Sequence, residues 1–473
     1  MTDEVKTPAR RWPPQIKYIV GNEACERFSY YGMRSILAGY ITGAVMKGGL
    51  GQSTDRATEI IHLFVFANYF MPLLGAWLSD KIIGRYRTIL WVSLFYCAGH
   101  GVLACSDFAG GVHGKMICLG IGLSLIAFGS GGIKPCVSAF MGDQFKPEQS
   151  HLLQKAYGAF YWSINFGSFF AFLVIPWIKN HHGYSLAFLV PGILMAIATF
   201  IFWLGTKHYV RVPPSRETKS AGFFKVFFAA LTGKREAGKD FWDAARSRFS
   251  AQEIDSAKSV PPILFIFALV PVFWSLFDQT NSTWVLQGEK MVPTKILGLD
   301  IGAEQMQSMN PLIVMILVPL FTLGIYPHIG RFAAPLKRMA YGMFLAAGSY
   351  LVVAALQSRL EHGAQLNILW QTVPYVILTA AEVLISTTGL EFAYREAAPE
   401  LKSTIMSFWL LTVAFGNLLV TLITKIFSSA SGDAAVSTNR FLLYAGLTFV
   451  VAILFSIIAS FYKYRDAAAA RGK

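Results

Sequence analysis

The 473-residue chain is poor in charge. Only 14% of its residues are Asp, Glu, Lys or Arg, where soluble domains carry about 25%. Its length would otherwise suggest about three soluble domains, but there is too little polar surface to cover them. Cysteine is scarce too: Cys25, Cys97, Cys105, Cys118 and Cys136 are odd in number, sit in or beside apolar runs, and form no CxxC pair. They read as small buried hydrophobes, not as a disulfide framework or a metal centre. The first residues, MTDEVKTPARRWPPQIK, lack a short apolar core ending in a cleavage site. No secretory signal peptide is therefore expected, and the first spanning helix serves as the targeting signal. HExxH, GxSxG and GxxxxGK[ST] patterns are missing as well. The expectation is a non-enzyme with no cofactor and no direct drive by ATP, which leaves ion coupling as the energy source.

What the chain has is apolar length: 54% of it is hydrophobic and its mean hydropathy is +0.47. A helix needs about 20 mostly apolar residues to cross the hydrocarbon. Such runs occur near 17–45, 57–79, 88–106, 115–142, 152–178 and 184–205, and again near 259–287, 305–330, 336–357, 367–395, 400–427 and 438–463. They predict an all-α membrane protein with twelve transmembrane helices in two six-helix bundles, 17–205 and 259–463. A polar linker, 206–258, separates the bundles and holds 11 basic and 6 acidic residues. Its Phe223, Phe224, Phe227 and Phe228, set against Lys225, Lys234 and Arg235, predict an amphipathic helix on the membrane surface or a solvated linker helix.

The net charge of +14 is explained by topology. With the N-tail (1–16) and C-tail (464–473) both cytoplasmic, the inner segments hold 29 Lys and Arg against 9 outside. That is the positive-inside pattern, so no nucleic-acid partner is expected. Six spans, a basic connector and six more make the plan of many secondary transporters.

The informative residues are ionisable groups where lipid should forbid them, each costing at least about 2.5–3.5 kcal/mol at a helix centre unless it faces the bundle interior. Glu23, Glu26, Arg27, Tyr30 and Arg34 fall on one face of the first span, so they line a protein cavity or lock helices in an ion-pair network. Lys134 lies in GSGGIKPCVSAF, whose glycines admit another backbone or a ligand and whose Pro135 should kink the helix. His62 and Tyr69 share a face of the second span. Tyr161 and Asn165 lie in the fifth, Trp274 and Asp278 in the seventh, and Glu382 in the tenth. An interior that is cationic with compensating carboxylates in one half and acidic in the other suits a zwitterion.

These residues carry a family resemblance. The segment from Gly75 through Asp80 and Gly84 to Arg87 resembles the loop between helices two and three of the major facilitator superfamily. Glu23–Gly32 (ExxERFxYYG), Gly129–Phe145 (GxGGIKPxVxxFxxDQF) and Phe160–Ser168 (FYxxINxGS) resemble the proton-dependent oligopeptide transporter family. So do FWxLFDQ around Trp274 and Asp278, and EVxxSxTGLEFxY from Glu382 to Tyr394. The resemblance runs from Glu23 to about Asn417. It implies the major facilitator fold and import of di- and tripeptides with protons by alternating access, in the cytoplasmic membrane, by a monomer surrounded by lipid. By the same resemblance, Arg34, Lys134, Tyr30, Tyr69 and Asn165 contact the peptide backbone or carboxylate, and Glu382 holds the amino terminus. Trp274, Ser386 and Trp409 lie near side-chain pockets, while Glu23, Glu26, Arg27 and Asp278 serve proton coupling and gating. Lys134 and Arg27 are expected to compete for Glu23 or Glu26, and Arg34 with Asp278 to form an outer gate. His62 matches a histidine of animal relatives and reads either as titrating or as packing. The linker is too polar for the two extra helices of many bacterial members, and the loop near 358–366 is too short for the external domain of animal ones. A nitrate or small-anion transporter and a proton/drug antiporter stay open as alternatives.

Overall fold

The computed structural model describes residues 12–146, 149–214, 222–233, 240–328, 334–398, 401–428, 435–462 and 464. Most of both predicted tails, and linker positions 215–221 and 234–239 with Lys234 and Arg235, lie outside the described residues.

The first six spans are α1 (Ile16–Ser35), α2 (Thr54–Leu78), α3 (Arg85–Ala104), α4 (Gly111–Gly142), α5 (Ser150–His182) and α6 (Tyr184–Leu204). The second six begin with α7, in pieces Val260–Phe267 and Val270–Phe277, and α8 (Met309–Pro319). Then come α9 (Pro335–Glu361), α10 (Thr372–Glu382 and Thr388–Glu396 joined by a π turn), α11 (Lys402–Ile426) and α12 (Thr438–Phe461). Among the described residues nine helices are long and apolar enough to cross a membrane, and a tenth span is a pair bent by 43° at α7. The other two are α1, where Glu23, Glu26, Arg27 and Arg34 break the apolar run, and α3, which opens on Arg85 and Arg87. Charge hides these two from any hydropathy test, so the total of twelve stands.

Within the first bundle α1 packs on α5 and α6, α2 on α4, and α3 on α4 and α6; in the second, α7 packs on α11 and α9 on α10 and α12. The halves meet where α2 runs along α11 and α5 meets α8. The glycines of GSGGIKP serve these contacts. A Cβ on Gly75 of α2 would lie 2.0 Å from the Gly132 carbonyl of α4, and one on Gly131 2.4 Å from the Asn68 carbonyl. Another backbone, not a ligand, occupies the space they leave. The α-helix continues through Pro135 to Gly142.

Outward faces are apolar. Trp77, Trp91, Phe200, Trp203 and Phe265 are exposed, and much of α12, the most apolar of the spans, faces outward. Such surface is solvated by lipid, with each helix satisfying its own backbone. Two details lie outside the twelve spans. Between α7 and α8 a hairpin pairs β1 (Thr294–Ile296) with β2 (Leu299–Ile301). Its turn places Leu297 and Gly298 at positive φ, the geometry of a tight two-residue hairpin. In the linker, the helix Phe223–Thr232 buries Phe223, Val226 and Ala230 and leaves Phe224, Phe228 and Leu231 exposed. The rings of Phe223 and Phe224 meet Phe408 of α11 edge-on. The linker thus rests on the second bundle.

Candidate functional site

Between the bundles lies a cavity of about 150 Å³. Arg34, Tyr69, Asn165, Trp274, Glu382 and Ser386, all singled out from the sequence, line it together with Asp278. Tyr31, Tyr161, Phe172 and Phe277 add aromatic wall. The cation enters from α1 and the acid from α10, so opposite charges reach one void from opposite halves. Glu382 ends the first α-helical piece of α10, just before the π turn Val383–Thr387; such a bulge re-aims side chains and is frequent at functional sites.

Three predicted contact residues stand behind the wall. Tyr30 is buried, its hydroxyl accepting from Asn68 Nδ2 at 3.0 Å. Lys134 Nζ lies 4.0 Å from the Tyr69 ring centroid and 5.1 Å from that of Tyr30, and it has no hydrogen-bond partner among the described residues. Tyrosine faces hold this cation electrostatically, where the sequence reading paired it with a glutamate. Trp409 packs against Phe267 and Trp274. Its ring lies flat on α10, where a Cβ on Gly389 would fall 1.9 Å from it.

Two carboxylates of α1 share one cation. Arg27 pairs with Glu23 at 3.2 Å and with the adjacent Glu26, and all three are buried. Ser130 of α4 reaches Glu26 Oε1 at 3.4 Å. With both carboxylates ionised, the triad holds two negative charges against one positive inside the first bundle.

A second network crosses between the bundles. Arg34 donates to Asp278 Oδ1 at 2.8 Å, and Asn417 Nδ2 donates to Asp278 Oδ2 at 2.7 Å. Asn417 Oδ1 faces His62 Nδ1 at 2.7 Å, and His62 Nε2 faces Ser282 Oγ at 2.8 Å. A carboxylate only accepts, so Asn417 must turn its amide donor to Asp278 and its carbonyl to His62; the proton of a neutral His62 is then on Nδ1. The chain Arg34–Asp278–Asn417–His62–Ser282 links α1 and α2 of one half to α7 and α11 of the other. Further cross-bundle bonds run from Gln307 Nε2 to the Ser35 carbonyl at 3.0 Å, from the Ala435 amide to Asp55 Oδ1 at 2.7 Å, and from Lys179 to Glu304. By the predicted topology all of these lie in the outer half.

Four partners escaped the sequence reading: Asn68, Ser282, Asn310 and Asn417. Asn310 Nδ2 donates to Glu382 Oε2 at 2.7 Å. Asn68 and Asn417 are lone neutral polar residues in apolar runs, a weak signal, while Ser282 and Asn310 sit beside other neutral polar residues that do not single them out. No group of three or more His, Cys, Asp and Glu side chains suited to a metal occurs among the described residues.

A family model described as the POT family matches residues 86–440. The chain is 37% identical over 379 residues to "Peptide transporter family 1" of Drosophila melanogaster, covering 77% of this chain and 50% of that protein. It is 36% identical over 400 residues to "Solute carrier family 15 member 2" of Homo sapiens, covering 80% and 54%. The chain thus spans about half the length of these curated relatives. Among solved structures, the in meso crystal structure of the POT family transporter PepTSo aligns at a TM-score of 0.87 and 39% identity, covering 96% of this chain and 99% of that one.

Proposed function

The chain belongs to the POT family, and on that premise we propose that it is a proton-coupled importer of di- and tripeptides, working by alternating access. The observation that carries this reading is the meeting of Arg34 and Glu382 on one aromatic-walled cavity between the halves. A short peptide is a zwitterion whose charged ends are common to all sequences. Its carboxylate is assigned to Arg34, with Lys134 brought forward from behind Tyr69, and its ammonium to Glu382, which Asn310 orients. Charge-assisted hydrogen bonds are about twice as strong as neutral ones. Side chains then fall among Trp274, Phe277 and Tyr161, where shape is loosely read.

Coupling follows from shared partners. Arg34 is held by Asp278 while the outer contacts are made. A proton reaching Asp278, or a peptide carboxylate competing for Arg34, loosens that pair. In the first bundle, a proton on Glu23 or Glu26 weakens their hold on Arg27 and changes the field at Lys134. With the outer network closed as here, the cargo leaves toward the cytoplasm. The cytoplasmic placement of both termini is inferred from the basic loops, and the inner membrane and the lipid-embedded monomer from the family resemblance. Glu382 argues against nitrate or another small anion, since a cavity carboxylate repels it. A drug antiporter would run in the opposite direction.

The test is uptake of labelled dialanine into proteoliposomes under an inward acid gradient, with and without uncoupler. Accumulation that collapses with uncoupler is expected. Accumulation indifferent to the gradient, or dipeptide uptake competed by nitrate, would sink the reading.

A further inference from the structure

The outer end of the molecule holds another group of charges, which peptide recognition leaves unused. Lys179, in the last turn of α5, donates to Glu304 Oε2 at 2.5 Å, tying the first bundle to the second. Glu304 is only 4% exposed, and its other oxygen, Oε1, has no hydrogen-bond partner among the described residues. That oxygen is pressed on Gly39, in the short helix Leu37–Thr42 that extends α1. A Cβ on Gly39 would lie 2.7 Å from Glu304 Oε1, 3.3 Å from Glu289 Oε1 and 3.4 Å from the Tyr184 hydroxyl. Two carboxyl oxygens of the second bundle therefore converge, at most about 6 Å apart, on a bare patch of the first. A cavity of about 260 Å³, lined by Lys179, Glu289 and Glu304 among others, lies beside them.

The charges do not balance. From α5 comes one ammonium, Lys179; from α6 the phenol of Tyr184, with the ring of Tyr40 in the α1 extension tilted against it, centroids 5.0 Å apart. The segment after α7 brings Glu289 and Glu304. With both acids ionised, one negative charge remains at a contact that exists only while the bundles are together. We infer that Glu289 and Glu304 bind one proton between them from the external solution when the bundles close over Gly39, making this an outer proton site separate from the central cavity.

The electrostatics agree in sign. Burial, then the neighbouring Glu304, pushes Glu289 up to about 7 against the opposing pull of Lys179, and burial raises Glu304 against the same lysine. Glu289 keeps an exposed side, so water screens part of its share. With the bundles apart both acids are hydrated and titrate near their ordinary value. Closure thus takes up a proton at pH values between the ordinary range and about 7. Acid favours the closed outer face, and that preference fades as pH rises through about 7.

The test uses the full chain in lipid nanodiscs, with Cys105 replaced by serine and spin labels at Met46 and Leu297, both fully exposed and on opposite bundles. Pulsed-EPR distances are followed from pH 5 to 9. Because α1 and α7 hold other acids, the readout is the difference between variant and parent curves. Glu289→Gln is expected to keep the short distance populated to higher pH, moving its midpoint by about one pH unit upward. Lys179→Gln is expected to move it the other way, so that only acid closes the face. Curves that superpose on the parent, or both variants losing the short distance at every pH as a merely structural contact would, overturn the proposal. Because the measurement needs no cargo, its failure leaves the peptide reading untouched, and failed dialanine uptake leaves this site standing.

Discussion

The two halves handle buried charge in opposite ways. In the first bundle Glu23, Glu26 and Arg27 are packed into an ion-paired triad, with Lys134 set apart on the faces of Tyr30 and Tyr69. In the second, Glu382 stands at the cavity with a neutral Asn310 as its hydrogen-bond donor. A triad of two carboxylates on one cation becomes neutral when one proton arrives. A carboxylate held only by an amide is free for a ligand cation. On the proposed function, coupling falls to the ion-paired triad and the Arg34–Asp278 pair, and amine recognition to the carboxylate held only by an amide.

Arg27→Ala would break this contrast most severely. It leaves two adjoining buried carboxylates without their cation, and removing one partner of a buried pair typically costs about 3–5 kcal/mol. Thermal unfolding in detergent should fall sharply and proton-driven accumulation should vanish. Glu23→Gln is the milder probe: the fold should survive and peptide counterflow persist while pH-driven accumulation is lost. Unchanged accumulation in the glutamine variant would remove the triad from coupling.

Glu382→Gln should act on the open side alone. Losing a hydrogen bond to a charged group costs about 1.5–3 kcal/mol, roughly a 10–150-fold loss of affinity for a dipeptide with a free amino terminus. An N-acetylated dipeptide, which brings no ammonium, should bind both proteins equally. Equal losses for the two ligands would mean that Glu382 supports the cavity wall instead of reading the amine.

Legibility in the sequence followed the cost of misplacement. Arg34, Asp278 and Glu382 were visible because a charge in an apolar run has few explanations. The twelve spans were visible because lipid demands apolar length, although α1 and α3 could be counted only by tolerating charge. Asn417 and Ser282 were not visible: a neutral polar side chain in a membrane helix is cheap and commonplace, and only the fold brings Asn417 to His62, 355 residues away. The glycines before Lys134 announced close approach without saying of what; only the packing of α2 on α4 identifies it as backbone. The aromatic cradle of Lys134 was hidden for the same reason, since a lysine among glutamates suggests an ion pair first.

His62 gives the smallest expected effect and the finest discrimination. Its two nitrogens bridge Asn417 and Ser282 at 2.7 and 2.8 Å, so it could hold the outer network by hydrogen bonds alone or by taking up charge. Glutamine separates the two, because its amide offers one donor and one acceptor and never a cation. If bonding is the role, His62→Gln keeps pH-driven accumulation within about tenfold of the parent, the span of one imperfect hydrogen bond worth about 0.5–1.5 kcal/mol. His62→Leu, which strands the Asn417 carbonyl, does worse. If His62 carries the coupled proton, glutamine and leucine are equally dead while counterflow survives, as in Glu23→Gln. The neutral histidine already fits its place, with Nδ1–H to Asn417 and Nε2 accepting from Ser282. Protonating it would turn Nε2 into a donor and force the Ser282 hydroxyl hydrogen toward Gln279, whose carbonyl is 3.5 Å away, a poor replacement. That geometry favours the first outcome, in which the proton moves through the acids and the imidazole serves as the bridge that keeps Asp278 aimed at Arg34.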